Sequence, residues 1–194
     1  MADSDGEAGA DGAEVSPPCP QHFVILHSND LHSYLQGHSP ETDYSPATTN
    51  DDATIGGFSR IATVVGTAKA AAQADGKPVL LLDAGDFMMG TLFSFLGTSQ
   101  AAELKLMDAL GYDATTIGNH ELDWTPKGLA GILQAAHTAG VKVPLVASNM
   151  TFSATSADDD PLEAFKDPGP IKTKLVKMVG GLRSASSACS ARTP

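Results

Sequence analysis

Short apolar runs that stop abruptly at polar residues recur along this chain, and they alternate with stretches whose apolar positions repeat at helical spacing. Residues 23–26 read FVIL, 79–82 VLLL, 114–117 ATTI and 144–146 PLV, and each predicts a strand. The run at 79–82 is apolar throughout, as expected of a strand covered on both faces. Between them, Phe58, Ile61, Val64, Val65 and Ala68 repeat at helical spacing and predict a helix over 57–74, closed by Gly76 and Pro78. A second helix is predicted over 99–110, with Leu106 and Leu110 inward and Gly111 as its stop. A third is predicted over 126–139, with Thr125 as N-cap, Pro126 in the first turn and Gly140 at the end.

The order β-α-β-α-β-α-β predicts an α/β layer structure. Residues 34–55 and 158–170 are rich in turn formers and read as loops. Residues 171–179, IKTKLVKMV, alternate and predict one strand with an exposed face, turned into a hairpin by Gly180-Gly181. A sheet that stops after Val179 would leave an unpaired strand and an uncovered apolar face. Residues 1–20 are acidic, small and closed by Pro17, Pro18 and Pro20, so they read as a disordered leader.

With 194 residues there is enough chain for one domain with a core, and two would be marginal. The net charge of −11 argues against a nucleic-acid backbone as partner. Most of that excess belongs to solvated surface and leader. Cys19 and Cys189 lie in the flanking segments and give neither zinc-finger spacing nor a disulfide framework. No stretch is apolar for long enough to span a membrane, and the start lacks the basic and apolar regions of a secretory signal. As it stands the chain reads as cytoplasmic; a start upstream of Met1 would allow a periplasmic or secreted protein.

The polar segments at the ends of the strands carry the chemistry. They read HSNDLHS at 27–33, DAGD at 83–86, GNHELD at 118–123 and ASN at 147–149. Parallel strands place their C-terminal ends on one sheet edge, so Asp30, His32, Asp86, Asn119 and His120 could converge there. Carboxylate, imidazole and amide donors with one shared carboxylate suit a pair of divalent metals, and such a pair suits phosphate ester hydrolysis. Asp30 and His32 are two apart, so in extended chain both can grip one ion. Asp86, after a turn at Gly85, can bridge two ions. Asn119 adds a neutral donor. His120 suits an acid or charge stabiliser, with Asp123 holding its imidazole. Asp83 is expected to bond within its turn and Glu121 to support its loop. His22, His27, His38 and His137 read as surface or packing residues, Trp124 and Tyr112 as packing, and Phe93 and Phe95 as core or lid.

NDLHS, GGFSRIATVV, LLDAGDFMMGT, LGYDATTIGNHELDW and VPLVASNM resemble, in order, the N-terminal half of the 5′-nucleotidase-like metallophosphoesterases, over residues 23–182. The resemblance implies a four-layer α-β-β-α sandwich with a two-metal centre, represented here up to its downstream half. It implies Asp30 and His32 on the first metal, Asp86 as the bridge, Asn119 on the second metal, and His120 with Asp123 as the catalytic pair. The substrate class it implies is a nucleotide or other small phosphate ester, attacked at phosphorus by a metal-activated water. Mn, Zn, Mg and Fe all suit such mixed donors.

The family carries further metal-binding histidines and a nucleoside-binding domain downstream, and nothing after Leu182 matches either. The tail RSASSACSARTP, residues 183–194, is small and polar where the family has an apolar strand. A codon set can be written in which a shifted frame restores an apolar strand, so a frameshift is expected there. The gene's DNA would overturn this if the shifted frame carried an early stop. A nucleotide-hydrolysing enzyme is thus the first expectation. A 2′,3′-cyclic phosphodiesterase or nucleotide-sugar hydrolase is the second, and an inactive metal-binding fragment the third.

Overall fold

The computed structural model describes residues 22–37 and 55–186. The acidic leader, residues 38–54 with His38, both cysteines and residues 187–194 lie outside the described residues. Five strands run parallel: β1 (Val24–Ser28), β2 (Val79–Asp83), β3 (Thr115–Thr116), β4 (Leu145–Val146) and β5 (Ile171–Lys172). A bridge between Leu82 and Ala114 joins the β1-β2 ladder to the β3-β4-β5 ladder, with the Asp83 N–H donating to the Ala114 carbonyl at 3.0 Å. The order is therefore sequential across the sheet.

Sequential order has a consequence for the helices. Right-handed crossovers between successive neighbours all return over the same face. That face is covered by α1 (Phe58–Ala74), α2 (Ser94–Gln100), α3 (Ala102–Leu110) and α4 (Thr125–Thr138). The core agrees: Leu81, Ile117, Leu145 and Ile171 from the strands cluster with Phe58, Val65, Leu104, Met107, Leu129 and Leu133. Strand side chains alternate in direction, so Ile25, Leu80, Leu82 and Val146 belong to the opposite face. There Leu80 and Val146 are buried, while Ile25 is 52% exposed. Helix layer and parallel sheet are the first two layers of the expected sandwich.

The second helix differs from the sequence expectation. The chain forms two helices, broken at Ala101, which adopts a left-handed φ of 52°. The break packs Gly97 against Glu103, where a Cβ on Gly97 would collide with the Glu103 carboxylate. Glu103 is fully buried and accepts the Ser33 hydroxyl at 2.6 Å. The buried face of α3 is accordingly Glu103, Leu104 and Met107, with Leu106 and Leu110 only half-buried. On α1, Val64 faces solvent rather than the core. Tyr112 is buried, as expected, and its hydroxyl meets Ser28 at 2.8 Å.

The single strand expected over 171–179 is two strands. β5 stays in the parallel sheet, and β6 (Leu175–Val179) pairs antiparallel with β7 (Leu182–Ser186). Gly180 and Gly181 turn the hairpin with φ of 56° and 85°, as the sequence predicts. β6 is thus paired rather than open, and Lys177 ties it to Asp113. A short helix α5 (Asp160–Glu163) interrupts the loop expected over 158–170. Among the described residues no helix is long and apolar enough to cross a membrane.

Burial pushes the Glu103 carboxyl above its ordinary value of 4.5, against the pull of the Ser33 hydrogen bond. The folded chain then holds a proton that the unfolded chain releases. Stability from this group is complete below 4.5 and is lost as pH rises through the raised value. Glu103→Gln keeps an acceptor for Ser33 and removes the titration. The urea midpoint of this variant should lose that component of its pH slope above 4.5; an unchanged slope would contradict the assignment.

Candidate active site

All four polar segments leave the sheet at one edge, where the strands end. Beyond β1 and β2 the two segments keep pairing. The N–H groups of Asp30, His32 and Ser33 donate to the carbonyls of Gly85, Asp86 and Phe87 at 3.1, 3.0 and 3.0 Å. This pairing holds side chains in an unfavourable backbone region. Asp30, His32, Ser33, Asp86 and Met89 have φ of 54°, 46°, 55°, 53° and 64°. Each such residue costs about 1–2 kcal/mol relative to ordinary conformations, so the surrounding hydrogen bonds must over-determine it.

The β2 and β3 segments meet through two glycines. A Cβ on Gly85 would lie 2.7 Å from the Gly118 nitrogen, and one on Gly118 would collide with Asp86 Oδ1. Because both side chains are absent, Asp86 Oδ1 accepts the His120 N–H at 2.9 Å. Residues 34 positions apart thereby share a contact.

Two buried carboxylates fix this junction from below. Asp83 accepts Ser28 Oγ and Thr115 Oγ1, each at 2.7 Å, and the Gly85 N–H at 2.9 Å. It thus bonds within its turn, as expected, and also ties three strands together. Glu121 is fully buried and accepts three backbone N–H groups: Gly118 at 2.7 Å, Asp86 at 3.1 Å and Met88 at 3.1 Å. Burial pushes its carboxyl up to about 7, against the pull of those donors.

The exposed side chains stand above. His32 Nδ1 meets the Met89 carbonyl at 3.1 Å. A carbonyl only accepts, so Nδ1 carries the proton and Nε2 is left to face Asp30 Oδ1, 3.5 Å away. The His32 and His120 rings meet edge to face at 5.0 Å. His120 Nδ1 donates to Asp123 Oδ2 at 2.7 Å, and this bond holds the imidazole above its ordinary value of 6.5. Asn119 precedes the single 3₁₀ turn His120–Leu122 and is half-buried.

Asp30, His32, Asp86, His120 and Asp123 are therefore gathered through these contacts. His22, His27 and His137 are exposed. Phe95 is 60% exposed and packs against Trp124 at 6.0 Å, so it is not core. Sequence reading missed the Met89 carbonyl on His32 and the Ser33–Glu103 bond, because backbone acceptors and buried partners leave no pattern in a sequence.

The donor chemistry at Asp30 and His32 fits a divalent ion. A histidine whose Nδ1 is tied to a carbonyl presents Nε2 as a ligand, and a carboxylate oxygen lies beside it. Among the described residues no group of three or more His, Cys, Asp or Glu surrounds one point. A complete coordination sphere needs donors beyond these two.

Residues 23–182 match the calcineurin-like phosphoesterase family. The chain is 37% identical to the 5′-nucleotidase of Bos taurus over 133 residues, which is 68% of this chain and 21% of that protein. Its fold resembles the 5′-nucleotidase precursor of Thermus thermophilus, with a TM-score of 0.62 and 27% identity over 87% of this chain and 28% of that one. The NAD nucleotidase of Haemophilus influenzae gives a TM-score of 0.62 and 26% identity over 87% of this chain and 26% of that one. The chain thus spans between about a fifth and under a third of these relatives' lengths.

Two glycine replacements should behave oppositely. Gly118→Ala drives a methyl into Asp86 and should cost about 1–3 kcal/mol. Gly131→Ala, in α4 with nothing within 4 Å of the added carbon, should stabilise by about 0.5–1 kcal/mol. Urea unfolding of both checks the pair; equal effects would contradict the close approach. Asp123→Asn keeps an acceptor for His120 Nδ1 but removes its charge, so the imidazole pKa read by NMR should fall toward its ordinary 6.5.

Proposed function

The chain belongs to the calcineurin-like phosphoesterase family, and on that premise we propose that it hydrolyses nucleotides as a metal-dependent phosphoric ester hydrolase of the 5′-nucleotidase type. The 5′-nucleotidase and NAD nucleotidase relatives support this substrate class. So does the net charge of −11, which disfavours nucleic acid as a partner. One observation carries the reading: the His120–Asp123 pair, at 2.7 Å, hangs from the same backbone junction that holds Asp86.

In this reading, residues 21–182 form the N-terminal part of the phosphoesterase domain. Asp30 and His32 would hold one divalent ion, and Asp86 and Asn119 would supply donors for a second. Two such ions supply Lewis-acid charge and lower the pKa of a bound water. The chain's own residues do the rest. Asp123 fixes the Nδ1 proton of His120, so Nε2 is the nitrogen free to donate toward a phosphoryl oxygen. The raised imidazole pKa keeps positive charge available where negative charge develops on phosphorus. The N–H bond from His120 to Asp86 sets the spacing between that charge and the proposed bridge.

The test is phosphate release from a nucleoside monophosphate by the folded chain, with and without Mn²⁺. Release should depend on the metal, and His120→Ala should lower it by about 100-fold or more. Asp86→Ala should abolish it. Metal binding by folded protein without turnover would place the chemistry outside this chain and reject the enzymatic reading for it.

A further inference from the structure

Glu121 has no place in the mechanism above, yet it is among the most enclosed polar groups in the described chain. Its setting is unusual in three ways. It is charged or protonated in a fully buried position, where a carboxyl is unfavourable without full hydrogen bonding. Among the described residues each of its bonds goes to backbone, none to a side chain. Those backbone groups lie on two segments that the sequence separates: Asp86 and Met88 after β2, and Gly118 after β3.

The division of its oxygens is informative. Oε2 takes the N–H groups of Gly118 and Asp86, while Oε1 takes that of Met88. One oxygen therefore bridges the two segments, and the other fixes the residue two further along. Asp86 itself is held in a left-handed conformation, which its own N–H bond to Glu121 stabilises. Above the same junction, Asp86 Oδ1 takes the His120 N–H. Asp86 is thus pinned from below through its backbone and from above through its side chain.

We propose that Glu121 is a positioning residue of the metal centre, which aims the Asp86 carboxylate by clamping the backbones of both segments. The proposal rests on the metal-binding reading of Asp86. It demands two acceptor oxygens and no donor at position 121. Glutamine meets this demand in part. Its carbonyl can replace Oε2 and keep Gly118 and Asp86, but its amide N–H₂ then faces the Met88 N–H, donor against donor. Aspartate keeps the charge but is one methylene too short to reach both segments.

The test uses Mn²⁺ alone as probe, with amide exchange as a readout independent of turnover. In Glu121→Gln, Met88 exchange should accelerate about tenfold or more, the change expected for one lost buried hydrogen bond, while Gly118 stays protected. Mn²⁺ affinity should fall by about tenfold to a hundredfold, as when a ligand loses its orienting partner. Glu121→Asp should show the same loss of affinity, and covers the case in which the glutamine variant does not fold. A lowered melting temperature with unchanged Mn²⁺ affinity per folded molecule would overturn the positioning role. Asp86→Asn separates the two readings. If it leaves Mn²⁺ binding intact, the metal reading of Asp86 fails. If it weakens binding and both Glu121 variants do not, the clamp fails.

Discussion

The close approach of two backbones at Gly85 and Gly118 is the constraint on which the rest of this site depends. At this distance neither position tolerates a side chain. Once the segments touch, their N–H groups are shut away from water and need acceptors. Asp83 and Glu121 supply those acceptors, one at the end of β2 and one on the 3₁₀ turn. The contact also explains how residues on different strands come within a hydrogen bond of each other. Remove it, and Asp86 and His120 belong to unrelated loops.

Much of this was legible in the sequence. The apolar runs at 23–26, 79–82, 114–117 and 144–146 are strands in the structure, with β3 and β4 shortened to two residues each. Gly111 and Gly140 end their helices as read, with φ of 71° and 77°. The start of α4 was misread by one residue: Trp124 is its N-cap, and Thr125, expected there, is the first helical residue, with a left-handed φ of 65°. The family was legible too, since residues 23–182 match it. The other misreadings share one origin. Periodicity registers apolar side chains, so it ran the predicted helix at 99–110 through the break at Ala101, where a buried Glu103 rather than an apolar residue decides the packing, and it left most of α2 unassigned. It also joined β5 to β6, because alternation continues through a bend that only strand pairing reveals.

The sequential strand order bears on what the sheet can do. With every crossover on one side, α1 to α4 shield one face, and the edge where the polar segments gather carries the 3₁₀ turn His120–Leu122. Leu80 and Val146 are buried on the opposite face, whereas Ile25 and Phe23 at the β1 margin are 52% and 42% exposed. The polar segments rise from the strand ends between these two environments, anchored in the core through Leu81 and Ile117 and open to solvent at Asp30 and Asp123.

The left-handed residues around the site carry one more consequence. At Asp30, His32, Ser33, Asp86 and Met89, glycine would relieve the backbone at once. At Asp30, His32 and Asp86 it would also erase the side chains proposed as metal donors. A laboratory evolution campaign scored on heat resistance alone would therefore be drawn to the very positions proposed to hold the metals. Thermal hardiness and the proposed catalysis would then compete for the same few codons.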